Sequence, residues 1–228
     1  MFRYEANMVR PARKWLEEQG LAVKAEFVTP WGICDLVGAS MAPGRVAKRL
    51  QLGQRRPVSS PTRAAILLRI PDVESGRAIT VAKLARAFAP VIPREIVEQE
   101  VDRLVRGKYA VRASRGRLQK RNGWIPIHER LVAVELKLSR VTEAMNQAAS
   151  NLGFADESYV ALPKPLAQRV WHKKERWSSH FDRGIGLIAV SARSCTVLRP
   201  AAADREGPED ALRFYCLEKF WPACARGS

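Results

Sequence analysis

Glu135 and Lys137 stand in a run, Leu131 to Ser139 (LVAVELKLS), that is otherwise almost entirely apolar. Strand alternation puts Val132, Val134, Leu136 and Leu138 on one face and Leu131, Ala133, Glu135 and Lys137 on the other, so a carboxylate and an ammonium point the same way. Two charges in the middle of an apolar strand cost free energy unless each is compensated, so a metal ion or a second acid is expected beside them. Asp35 is the natural second acid, because Ile33 to Val37 reads as a strand with Ile33, Asp35 and Val37 on one face. Two carboxylates and an amine suit phosphodiester hydrolysis. There Mg²⁺, with Mn²⁺ as its substitute, neutralises charge on the pentavalent transition state and acidifies a bound water, while a cation sits near that water. Mg²⁺ keeps several waters, so Asp35, Glu135 and the backbone carbonyl of Leu136 suffice as protein ligands.

The elements that must position these residues are legible as patterns. Tyr4 to Gln19 places Glu5, Met8, Ala12, Trp15 and Leu16 at helical spacing, and Gly20 stops that helix. Leu21 to Val28 reads as a strand, Thr29-Pro30-Trp31-Gly32 as a turn, and Ile33 to Val37 as the strand of Asp35. Beyond the Glu135 strand, Thr142 to Leu152 reads as a helix, Ser158 to Leu162 as a strand and Pro165 to Trp171 as a helix. Lys173 to His180 is helical or irregular, Gly184 to Val190 is an apolar strand with which Cys195 to Leu198 can pair, and Asp210 to Phe220 closes as a helix.

Between the two acidic strands the composition changes. The chain carries a net charge of +16, and Met41 to Arg130 holds 20 Lys/Arg against 7 Asp/Glu, a net of +13. A compact block with most of the charge favours a polyanionic partner, a solvated cationic surface being the plainer alternative. After Gly38, Pro43, Gly44, Gly53, Pro57 and Pro61 break any regular pattern, so 41–59 reads as an exposed basic connector. Thr62 to Ile70, Ala78 to Ala89 and Arg94 to Arg106 read as helices, with a turn at Pro90 to Pro93, and Tyr109 to Lys120 reads as two short strands around Ser114-Arg115-Gly116. Three helices followed by a basic hairpin resemble a winged helix-turn-helix domain over 60–124. That resemblance implies that the Arg94 to Arg106 helix lies at DNA and that Arg112, Arg115, Arg117, Lys120 and Arg121 lie near phosphates. Glu95, Glu98, Glu100 and Asp102 on the same helix would repel a groove they faced, which shifts weight to the hairpin and connector.

An acid in a second strand, then Glu135-Leu136-Lys137 in a third, then a helix carrying Gln147, resembles the restriction-endonuclease-like superfamily, often written PD-(D/E)xK. The order helix, three strands, helix, strand matches its core over 1–40 and 130–200. The resemblance implies an α/β (α+β) fold with a mixed central sheet flanked by helices and an inserted winged-helix domain. The core would be 1–40 plus 125–228. It further implies metal-dependent cleavage of nucleic acid, with Asp35 and Glu135 as metal ligands, Lys137 orienting or activating the water, and Gln147 and Glu5 near the centre. Cys34 stands where the motif has proline, and some 100 residues separate Asp35 from Glu135, which an insertion explains.

Plainer readings stay open at each position: Glu135 and Lys137 as a solvent-facing pair on an edge strand, Asp35 capping a turn, Glu5 and Gln147 at the surface. His128, His172 and His180 show no ligand spacing and read as structural. Trp171 and Trp177 could stack on bases, or simply pack. Cys34, Cys195, Cys216 and Cys224 have no zinc or disulfide pattern and read as buried or semi-buried thiols. No apolar run approaches the roughly 20 residues of a bilayer crossing, and Met1 to Glu5 lacks a signal-peptide order, so a cytoplasmic protein without a membrane partner is expected. Double-stranded DNA is the expected partner and a homodimer is expected by analogy. A non-catalytic DNA-binding regulator and an RNA substrate are the competing functions.

Overall fold

The computed structural model describes residues 2–121, 127–202 and 210–221. In chain order these form α1 (Ala6–Glu17), β1 (Ala22–Thr29), β2 (Gly32–Met41), α2 (Pro43–Gln51), α3 (Pro61–Arg69), α4 (Val81–Phe88), α5 (Arg94–Arg106), β3 (Ala110–Arg112) and β4 (Leu118–Lys120). Then follow β5 (His128–Leu136), α6 (Val141–Asn151), β6 (Glu157–Pro163), α7 (Lys164–His172), α8 (Ser178–Asp182), β7 (Gly186–Val190), β8 (Cys195–Arg199) and α9 (Asp210–Glu218). The chain divides into two units, Met1–Met41 with His128–Glu209, and Ala42–Ile127 with Asp210–Ser228.

The first unit is a mixed six-stranded sheet in the order β1-β2-β5-β6-β7-β8 between helical layers. β2 runs antiparallel to β1 and β5, β5 to β7 run parallel, and β8 returns antiparallel along β7. Met8, Ala12 and Leu16 of α1 pack on Leu36, Val132, Val134 and Leu136. Ala144, Met145 and Ala148 of α6 cover the other face with Val160, Leu162 and Leu187. Both faces of the central strands are therefore buried, which is why they read as nearly continuous apolar runs. Gly186 belongs in that core because a Cβ there would fall 2.3 Å from Tyr159 Cδ1 and 2.8 Å from the Ala201 nitrogen.

β2 runs to Met41 rather than stopping at Val37. Gly38, read from sequence as the end of the strand, is inside it, pairing with both neighbours under the side chains of Leu21 and Leu16. Ile33 is 61 % exposed, so of the apolar pair expected beside Asp35 only Val37 is buried. β5 starts at His128 and ends at Leu136, which leaves Lys137 just beyond the strand, its backbone N–H still donating to Ala161 O at 3.2 Å. Met41 and His128 are paired across β2 and β5, so the intervening chain leaves and re-enters the sheet at adjacent points, past a register shift between Ala39 and Met41.

In the second unit α3, α4 and α5 close around Ile66, Leu67, Leu84, Val97, Val101 and Leu104, with Leu118 from the β3–β4 hairpin. Ser60 and Thr80 cap α3 and α4 by accepting from Arg63 N and Lys83 N. The segment expected as an exposed connector instead contains α2 and buries Arg49, Gln54 and Val58. The C-terminal helix, expected in the core with the sheet, lies in this second unit: α9 packs on α3, and Glu218 takes both Arg49 nitrogens at 2.6 and 2.8 Å and Val58 N at 2.6 Å. Arg49 also sits 4.0 Å over the Trp221 ring, whose indole donates to Arg55 O. The 124/125 boundary and Cys224 lie outside the described residues.

Candidate active site

Leu36 faces Val134 across β2 and β5, so the next step of the register sets Asp35 beside Glu135 on one face of the sheet. Asp35 is half-buried, and its Oδ2 accepts from Leu136 N at 2.7 Å, extending the pairing of the strands by a side chain. Glu135 is 2 % exposed. Asn151, at the end of α6, donates to Glu135 Oε1 at 2.6 Å, while Oε2 is buried with no hydrogen-bond partner. Burial pushes the Glu135 carboxyl up to about 7, and the charge of Asp35 adds to the rise against the opposing pull of Asn151, Cys34 and Lys137. A carboxylate held this way is short of positive charge.

Lys137 is buried beside it, its one ion pair among the described residues a long one, 3.8 Å from Glu143 Oε1. Glu143 is itself drawn to Arg140 at 2.8 Å, so Lys137 is not fully neutralised by it. Gln147 lines a cleft of about 120 Å³ together with Glu135, Ser150, Asn151 and the Thr29–Ile33 turn. Gln147 Oε1 is buried and, like Glu135 Oε2, lacks a donor. Glu135 and Gln147 thus each bring a buried acceptor oxygen, without a donor among the described residues, to one cleft with room for several waters.

The structure thus sets Asp35 and Lys137 beside Glu135, and Gln147 in one cleft with Glu135. Glu5 stands off from them: it precedes α1 and accepts from Leu138 N at 3.2 Å, holding the chain beyond β5. Among the described residues no three His, Cys, Asp or Glu side chains converge as a metal cluster. The residues that could hold an ion are Asp35 and Glu135 with backbone or amide oxygens, a sparse set of the kind that suits a well-hydrated Mg²⁺ or Mn²⁺.

Sequence reasoning missed Asn151 and Cys34. Asn151 follows Gln147 by four residues, the spacing that puts both on one helix face, so the signal was present. Cys34 is wholly buried. Its Sγ accepts from Asn151 Nδ2 at 3.5 Å and lies 3.3 Å from Leu36 O, and burial, then Glu135, push the thiol well up, so it stays protonated. Trp31 and Ile33 form an exposed apolar rim beside the cleft, Trp31 braced 5.9 Å from Phe154. Trp171 and Trp177 pack against the α6 layer.

The cations of the second unit are differently placed from one another. Arg94 pairs with Glu98 at 2.7 Å, Arg112 with Asp102 at 2.7 Å, and Lys120 is buried 3.3 Å from Asp72. Arg115 and Arg117 are exposed at the hairpin turn, and Arg121 is half-buried. No family model, curated protein or solved structure matches the chain.

Proposed function

We propose that this protein is a divalent-metal-dependent nuclease of the restriction-endonuclease-like kind that hydrolyses DNA, its second unit acting as a winged-helix grip on the duplex. The observation that carries the reading is the buried Glu135 carboxylate, one oxygen held by Asn151 and the other without a partner, set beside Asp35 and Lys137 in an apolar sheet. An unpaired buried carboxylate costs several kcal/mol unless a cation compensates it. The helix-strand-strand-strand-helix-strand order of the first unit and its mixed sheet support the reading.

Asp35 and Glu135, with the Leu136 carbonyl, would hold Mg²⁺. The ion supplies charge neutralisation on the phosphate and a more acidic water. Asn151 fixes the Glu135 rotamer, and Asp35 is fixed by Leu136 N. Lys137 would place a positive charge beside the attacking water and stabilise hydroxide there, while Gln147 Oε1 would accept a hydrogen bond from a water in the cleft and orient it.

The test is cleavage of supercoiled plasmid with Mg²⁺ or Mn²⁺ by the parent, Glu135→Ala and Lys137→Ala. Loss of at least about 100-fold in rate in both variants is expected. Intact DNA in every lane, with duplex binding retained and insensitive to Asp35→Asn, would leave the non-catalytic regulator. Cleavage of RNA in preference to duplex DNA at one salt concentration would change the substrate class.

A further inference from the structure

Charge pairing in the second unit leaves one pocket with more guanidiniums than acids. Glu98 and Asp102, acids that would repel DNA from α5, are each occupied by an arginine, and Glu100 is 6 % exposed, bridging Arg63 Nε and Arg103 at 2.5 Å each. One carboxylate shared by two guanidiniums leaves a net positive charge and free N–H donors on both. Arg63 and Arg103 line a pocket of about 680 Å³ that also receives Arg56, Arg106 and Ser59, over a floor of Tyr109 and Val58. Arg56 makes no side-chain bond or ion pair among the described residues, and Arg106 reaches only the Asp102 carbonyl at 3.4 Å. Arg103 and Arg106 lie in the last turn of α5, but a helix end carries only about half a negative charge, too little to neutralise the group. The floor is rigid, because the Tyr109 hydroxyl donates to Arg56 O at 2.5 Å and meets the buried Arg49.

We propose that this arginine pocket is the phosphate-binding centre of the second unit, taking phosphate groups of a nucleic-acid backbone ahead of the hairpin cations. The proposal rests on the nuclease reading for the identity of its ligand. Four guanidiniums against one acid, at the edge of an apolar floor that weakens solvent screening, suit paired phosphate oxygens, which arginine contacts bidentately.

The test uses the full chain without divalent metal. Binding of a labelled 25-base-pair duplex is measured by fluorescence anisotropy across salt, and binding of inorganic pyrophosphate by calorimetry. Arg56→Ala/Arg106→Ala removes two exposed cations, and its thermal unfolding should match the parent. The expected result is at least 20-fold weaker duplex and pyrophosphate binding, with the salt slope reduced by about 2. Arg115→Ala/Arg117→Ala should weaken binding less than 5-fold, and Arg56→Lys/Arg106→Lys should recover part of the loss. Pyrophosphate binding lost in the alanine variant, with no duplex binding by the parent, supports the pocket but removes DNA as the phosphate source. Parent-like binding of both probes by that variant, or no binding of either by the parent, overturns the proposal. Glu135→Ala, outside the pocket, separates the two readings: parent-like binding of both probes by this variant, whatever its cleavage, leaves the pocket standing independently of the nuclease reading.

Discussion

Glu135 is an acid whose proton is held more tightly in the folded protein than in the unfolded chain, because burial and Asp35 both disfavour its charge. Between about pH 4.5, the ordinary carboxyl value, and about 7 the unfolded chain releases this proton first, so native stability falls as pH rises through that window. The loss amounts to roughly 3 kcal/mol above pH 7. In the absence of metal, Glu135→Gln should therefore unfold several degrees higher than the parent at pH 8 and at the same temperature near pH 4. Mg²⁺ or Mn²⁺ should raise the parent's unfolding temperature more at pH 8 than at pH 5.5 and leave the glutamine variant unmoved. Equal metal response in both would show that Glu135 is not a ligand. Asn151→Ala frees the carboxylate from its positioning donor, so half-saturating metal should rise and cleavage fall by about 10- to 100-fold, with the pH profile displaced upward. Asp35, Glu135 and Lys137 were legible in the sequence because charge inside an apolar strand is a conflict that needs a resolution. Asn151 was less legible because an asparagine at a helix end is common for capping reasons alone, and its role emerges only where α6 crosses β5.

Strand and helix types followed from periodicity, but their ends did not, and the glycines show why. Gly38 looked like a terminus because glycine weakens strands, yet here it admits Leu21 and Leu16 against the sheet. Alanine at this position would meet Leu21 at 3.0 Å (Cδ1) and 3.2 Å (Cβ) and Leu16 Cδ2 at 3.3 Å, side chains that can shift slightly, and should cost about 1 kcal/mol. Gly186→Ala is a different case: its methyl would strike the Tyr159 ring and the Ala201 backbone, which cannot withdraw. Destabilisation of about 3 kcal/mol is expected, read as a lower urea midpoint with an unchanged slope. The hairpin β3–β4 was legible from Ser114-Arg115-Gly116, whose left-handed residues at Arg115 and Gly116 make the turn. That Lys120 would be buried on Asp72 rather than exposed was not, since short strands of alternating charge give no sign of which face is covered.

At the scale of the molecule, the insertion was visible as a charge block but its extent was not. α9 joins α2 and α3 through Arg49–Glu218, a pair 169 residues apart that no local pattern announces. Glu218→Gln leaves a buried guanidinium without its counter-ion and should destabilise the second unit by about 3–5 kcal/mol while leaving the metal response of the first unchanged. Because Met41 and His128 are paired neighbours, a chain joining them through a short turn and ending at residue 202 should fold, retain metal-dependent stabilisation and lose duplex affinity. Failure of that chain to fold would mean the sheet depends on the second unit.

Ribosomal synthesis meets the same long-range pair as a timing problem. At roughly 5–20 residues per second, some 10–30 s separate the emergence of Arg49 from that of Glu218, during which α3 lacks its cover and Arg49 its counter-ion. The six strands of the large sheet are all made before α9 appears, so the Asp35–Glu135 cleft can assemble while the second unit is still unfinished. A product that ends before α9 is therefore expected to hold a finished sheet and an incomplete second unit, with α3 the first segment open to proteolysis.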